Sequence, residues 1–201
     1  MKRPTIENIH RVMKQQGMKV FTTPFDCTLG WIRTKDNKSN KFNDWLFMSY
    51  PMKNGGICSV VLAGTTDAGL YYRLNPMHVD GTAIIQHGKQ YRGAFTYMEK
   101  GGHKGQEAFR QTKGIDYWRD INRDEYLDFT NPKLNKIFNT NGHDMGTVGN
   151  NVGKWSAGCW GSENSNMDQL YLMARVQIAH GLGYKFSLAA LHEDMFRRRK
   201  P

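Results

Sequence analysis

His143 and Cys159 stand sixteen residues apart, and they are the pair in this chain best suited to covalent chemistry. A thiol becomes a good nucleophile when a base takes its proton or its surroundings stabilise the thiolate. The stretch around the cysteine reads "GKWSAGCW", residues 153 to 160. Gly158 permits a sharp turn immediately before the sulfur. The amides near Gly158 and Cys159, with the Ser156 hydroxyl, are placed where an oxyanion would form. The histidine lies in "FNTNGHDMG", and the Gly- and Asn-rich "DMGTVGNNVGKW" reads as a loop able to fold back. The residues alone leave two readings open. Cys159 is either a small buried thiol in a turn or a nucleophile served by His143. Trp155 and Trp160 flank the motif as packing residues or as the wall of a groove.

The other cysteines have different neighbours. Cys27 in "FDCTLGWI" and Cys58 in "GICSVVLA" sit in apolar runs and read as inert core thiols, though a disulfide between them is conceivable. Three cysteines without a CxxC pair give no zinc or redox motif. The remaining histidines, His78, His87, His103, His180 and His192, lack ligand spacing, and no HExxH is present. A His/Asp metal site assembled from distant positions, such as His103 and His143, is a secondary reading. "DINRDEYLD" places Asp120, Asn122, Asp124 and Asp128 at alternating positions, with the Tyr126 carbonyl, as in a calcium loop. Glu125 replaces the glycine such a loop needs, and Asn131 replaces its terminal glutamate. An acidic turn capping its own amides is the better account of residues 120–131, so no metal and no cofactor is expected.

These residues need a scaffold. Residues 5–16 show helical spacing through Ile6, Ile9, Val12 and Met13, with Thr5 as cap and Gly17 as stop. From there to about residue 142, short apolar or alternating runs recur between turn residues: "LGWIR", "DWLFMSY", "ICSVVLAG", "LYYRL", "GTAIIQH", "YRGAFTY", "DYWRD" and "KIFNTNG". Helical spacing returns over 166–180 through Met167, Leu170, Met173 and Val176, and "YKFSLAAL" reads as a last strand. The expected fold is mainly β (α+β), with a helix at the front and one after the cysteine. Its parts are an N-terminal helical segment, 1–25, a catalytic body, 26–192, and a basic tail, 193–201.

The chain has 201 residues and a formal net charge of +10, with basic clusters in "RTKDNKSNK" and "FRRRKP". That balance suits anionic wall polymers or a solvated basic face. No nucleic-acid motif accompanies it, and no apolar run approaches a membrane span. "MKRPTIENIHRVMKQQG" has no apolar core of a signal peptide, so synthesis in a cytoplasm is expected.

The histidine, the loop and Ser-x-Gly-Cys at this spacing resemble the L,D-transpeptidase catalytic domain. "NKFNDWLFMSY", "TTDAGLYYRLNPMHVDGTAIIQHGKQYRGAF" and "YWRDINRDEYLDF" extend the resemblance to phage and bacterial proteins with this kind of site, over about residues 28 to 190. The resemblance implies a β-sandwich or barrel acting on peptidoglycan stem peptides through an acyl-enzyme. For phage members it implies an endolysin-like hydrolase, made in the infected cell and acting in the periplasm or wall after release. Cys159 would be the nucleophile, His143 the general base, and Ser156 and Gly158 the loop and oxyanion residues; substrate contacts are expected from elsewhere, with Tyr91 and Arg92 of "QYRGAF" as candidates. The chain departs from the family at Ala157, where a second histidine is usual, at Asp144, where glycine is usual, and at Gly161, where arginine is usual. These changes leave room for hydrolysis. The alternatives are an L,D-transpeptidase or carboxypeptidase, and a non-catalytic virion or wall-binding protein. The expected partner is peptidoglycan, with no nucleic acid and no membrane insertion, and the expected state is a monomer.

Overall fold

A computed structural model describes residues 1–146 and 149–197. The basic end of the tail, residues 198–201, lies outside the described residues. The architecture is mainly β with 40% strand and 18% helix, which places it in the expected α+β class.

The first helix, α1, spans Ile6–Gln15. The Thr5 side chain accepts from the Asn8 amide and caps one orphan donor. Ile6, Ile9, Val12 and Met13 form its buried face. Strands β1 (Thr28–Arg33), β2 (Asp44–Pro51) and β3 (Ile57–Gly64) follow, then a short helix α2 (Leu70–Leu74). Next come β4 (Thr82–Ile85), β5 (Lys89–His103), β6 (Gln106–Gln111), β7 (Ile115–Asp120), β8 (Pro132–Lys136) and β9 (Asn141–Asp144). β10 (Trp160–Ser162), α3 (Asn164–Ala179), β11 (Lys185–His192) and a 3-10 turn, Glu193–Phe196, complete the chain.

Eight strands form one sheet in the order β10-β9-β6-β5-β11-β1-β2-β3. The sheet nearly closes on itself. Thr65, just after β3, donates to the Gly161 carbonyl at 2.8 Å, and the Gly161 amide returns a bond to Thr65 at 2.9 Å. A small sheet, β4-β7-β8, stands beside it. The last strand, β11, runs between β1 and β5, parallel to β1 and antiparallel to β5.

Both faces of the central strands are covered, which explains their near-continuous apolar runs. Leu29, Trp31, Leu188 and Ala190 join Met167, Leu170 and Met173 of α3 in one core. Ile32, Phe47, Ala189 and Leu191 join α1 in the other. Residues 1–25 are therefore packed on the same body as the strands. Met195 and Phe196 pack against this second core, so the tail segment from 193 begins as folded structure.

Three expectations change. "LYYRL" is a helix, because Arg73 turns inward to an ion pair with buried Asp120 at 2.6 Å. "KIFNTNG" divides between β8 and β9 with an irregular stretch between them. The basic cluster "RTKDNKSNK" is largely internally paired. Arg33 is buried against Asp67 at 3.0 Å, and Lys35, Lys38 and Lys41 meet Asp194, Glu125 and Asp36.

Candidate active site around Cys159

Cys159 lies immediately before β10, where the chain enters the sheet next to the start of β9. Its sulfur accepts the Asn141 amide at 3.4 Å and stands 3.9 Å from the Asn139 carbonyl. The turn before it is held from within. Ser156 Oγ donates to the Cys159 carbonyl at 2.8 Å and accepts the Gly158 amide at 3.1 Å. Thr140 Oγ1 donates to the Gly158 carbonyl at 2.8 Å, tying the turn to the approach to β9. Gly158 has φ +132°, and a Cβ there would meet the Ala83 carbonyl oxygen at 2.9 Å. Only glycine satisfies both conditions. Ser156 and the Gly158 amide, expected to face an oxyanion, are thus both spent on shaping the turn.

A cavity of about 400 Å³ opens over this turn, between the end of the barrel and the small sheet. Cys159, Gly158, Ala157 and Trp155 line one side of it. His103 and Lys104 come from the β5–β6 hairpin, and Arg119 from β7. The hairpin is a two-residue turn with positive φ at both Lys104 (47°) and Gly105 (84°), the geometry favoured between twisted strands. It delivers His103 to the rim. With Lys154 also in the lining, the cavity carries three basic side chains besides His103. Trp155 is 42% exposed and supplies an apolar face. A larger opening, about 780 Å³, lies elsewhere among Arg11, His87, His192 and Arg197, with no cysteine among its described lining residues.

His143 sits on β9, buried and stacked on His103 with ring centroids 4.2 Å apart and planes 16° apart. Its Nδ1 lies 2.6 Å from the Asp144 carbonyl. A carbonyl only accepts, so Nδ1 carries the proton and Nε2 the lone pair. That Nε2 is buried and has no hydrogen-bond partner among the described residues. No imidazole nitrogen hydrogen-bonds the sulfur among the described residues. Burial, followed by the neighbouring His103, pulls His143 down to about 4. Burial pushes the Cys159 thiol up to about 11, with the Asn141 amide acting in the opposite direction. The resting pair is therefore a neutral thiol and a neutral imidazole.

The other expected contacts fall away from the cavity. Tyr91 is in the main core, its hydroxyl donating to the Gln86 and Asp116 carbonyls at 2.8 and 3.0 Å. Arg92 lies over Phe21. Trp160 is fully buried against Phe95 and Phe109. Gly161 could not carry the arginine usual in the resembled family, since a Cβ there would meet the His143 carbonyl oxygen at 1.9 Å. Asp144, in place of that family's glycine, accepts the Gly146 amide at 2.6 Å.

Cys27 is buried beside the Met173 carbonyl, and burial raises its thiol strongly. Cys58 is half-buried rather than enclosed. The carboxylates of 120–131 are occupied. Asp120 accepts the Asp128 amide at 2.6 Å and pairs with Arg73, and Asp124 accepts the Tyr126 amide at 2.8 Å. His103 and His143 do meet, but face to face. No group of three potential metal ligands converges among the described residues. No described helix is long and apolar enough to cross a membrane.

Sequence reasoning named His103 only as a metal-site candidate with His143, and it missed Lys104, Arg119 and Lys154. None carries a local signal, because each reaches the cavity from a different part of the chain. Compared with protein-family models, curated proteins and solved structures, the chain matches none.

Proposed function

We propose that the protein is a cysteine-nucleophile amide hydrolase acting on peptidoglycan stem peptides or cross-links. The observation that carries this reading is the placement of Cys159. Among the three cysteines it is the one on a held turn that lines a cavity with basic side chains, just before the strand that pairs with the His143-bearing β9. The resemblance of "SAGC" and the upstream histidine to L,D-transpeptidase domains supports peptidoglycan as the substrate, and an endolysin-like role in host lysis with it. The net positive charge suits an anionic wall.

With both partners neutral, attack and proton transfer proceed together. The Cys159 sulfur bonds to the amide carbon as its proton passes to His143 Nε2. The imidazolium then gives that proton to the leaving amine, the C–N bond breaks, and water releases the acyl group by the same path.

The test is purified protein with isolated peptidoglycan, products read by mass spectrometry, alongside folded Cys159→Ala. Hydrolysis gives new amines and released stem peptides, and the variant gives neither. Larger cross-linked products would assign transfer instead, and unchanged peptidoglycan would assign a binding role.

A further inference from the structure

An acyl-transfer site must supply hydrogen bonds to the oxygen that becomes an oxyanion, and removing one such donor typically costs 10²–10³ in rate. Here two obvious donors are consumed. The Gly158 amide is bonded to Ser156 Oγ, and the Ser156 hydroxyl to the Cys159 carbonyl. The Cys159 amide, which makes no hydrogen bond to the described residues, is left as one donor, and the other walls of the cavity are the source of a second.

His103 has the required chemistry. Its Nδ1 lies 3.1 Å from Asn141 Nδ2. The amide orientation of Asn141 is fixed independently, because its Oδ1 accepts the Gln111 amide at 3.0 Å. Asn141 therefore presents N–H to His103, whose Nδ1 must be the acceptor. In the neutral ring the proton is then on Nε2. That atom makes no hydrogen bond to the described residues, and it belongs to a half-buried residue lining the cavity over Cys159. His143, stacked against it, has the reverse assignment, with its proton on Nδ1 facing Asp144. Two stacked imidazoles thus carry opposite tautomers, one a lone pair and the other an N–H. Asn141 couples them to the nucleophile, since its backbone amide also meets the sulfur.

We infer that His103 is a catalytic hydrogen-bond donor in this cavity, its Nε2–H stabilising the oxyanion formed when Cys159 attacks. The inference rests on the amide-hydrolase reading. As the S–C bond forms, the carbonyl π pair moves to oxygen, where the His103 N–H bonds it. The thiol proton goes to His143, so His103 keeps its own proton throughout. The stacked histidines divide the work, one accepting a proton and one donating a hydrogen bond.

Three variants and one spectrum test this. His103→Ala is expected to lower kcat on peptidoglycan by about 10²–10³ with KM little changed. His103→Gln, which can place an N–H near the same point, is expected to recover at least a tenth of wild-type kcat. Alkylation of Cys159 by iodoacetamide forms no oxyanion and should be within about twofold of wild type in both. Long-range 1H–15N correlation spectra at pH 7 should show His103 protonated on Nε2 and His143 on Nδ1. Wild-type kcat in folded His103→Ala, beside an inactive Cys159→Ala, would remove the donor role and leave the nucleophile reading intact. Activity in Cys159→Ala, or an inert wild-type protein, would overturn both. A proton on His103 Nδ1, or no recovery in a folded His103→Gln, would also overturn the assignment.

Discussion

The ionisation of Cys159 decides whether the protein holds a ready thiolate or a neutral pair, and alkylation kinetics can read it directly. The perturbation is pH. An ordinary cysteine ionises near 8.5, so at pH 8 about a quarter of it is thiolate. Burial moves the Cys159 thiol up to about 11. At pH 8 only about one molecule in a thousand is then ionised, a deficit on the order of 10²-fold, equivalent to about 3 kcal/mol. Iodoacetamide labelling of native protein, followed by peptide mapping at half-unit steps from pH 6 to 10.5, should give a Cys159 rate rising tenfold per pH unit without levelling. The same cysteine in protein unfolded in guanidinium should level off near 8.5. Cys27, raised further still by burial, should label more slowly than Cys159 at each pH. A native Cys159 profile already flat above pH 7 would refute the reasoning. It would mean that a thiolate–imidazolium pair exists at rest and that the neutral-pair mechanism is wrong.

Acid stability should carry the signature of His143. Its folded value, about 4, lies below the ordinary 6.5, so the neutral ring contributes stability that is full above 6.5 and is lost as pH falls toward 4. Urea unfolding at pH 7, 5 and 4 should show about 3 kcal/mol of that loss missing in His143→Gln, and parallel curves would contradict the assignment. Arg73→Met should cost about 3–5 kcal/mol by leaving buried Asp120 without its ion-pair partner. Circular dichroism melts should show this as a drop on the order of 10 °C, and a change under 2 °C would refute the pairing. Gly161→Ala should destabilise by about 3 kcal/mol or more, because its Cβ would meet the His143 carbonyl oxygen at 1.9 Å; a melt like wild type would show that β9 and β10 can part there. EDTA should leave the melting temperature unchanged, since Arg73 and backbone amides occupy Asp120 and Asp124; a drop reversed by calcium would show otherwise.

Local chemistry determined the elements. Thr5 and the spacing of Ile6, Ile9, Val12 and Met13 were enough for α1, and Met167, Leu170 and Met173 with Gly181 were enough for α3. Both signals depend on neighbours within a turn or two. The β-rich class followed from short runs between turn residues, and the sharp turn before Cys159 from Gly158. Where pairing across the fold decides an outcome, the sequence was silent or misleading. "LYYRL" has no strong helical pattern, and its form follows from Arg73 reaching Asp120. Arg33 counted as surface charge until Asp67 and Thr66 enclosed it. Tyr91 and Trp160 look equally able to line a cavity or fill a core, and strand direction sends them inward. The arrangement around Cys159 is the clearest case. His103 stacks on His143 and meets Asn141, whose amide meets Cys159, because β5, β6, β9 and β10 take one register, and a shift by one residue would send the strand side chains to the opposite face. Sequence spacing identified a nucleophile and a base, but only the tertiary structure could place a second imidazole beside them.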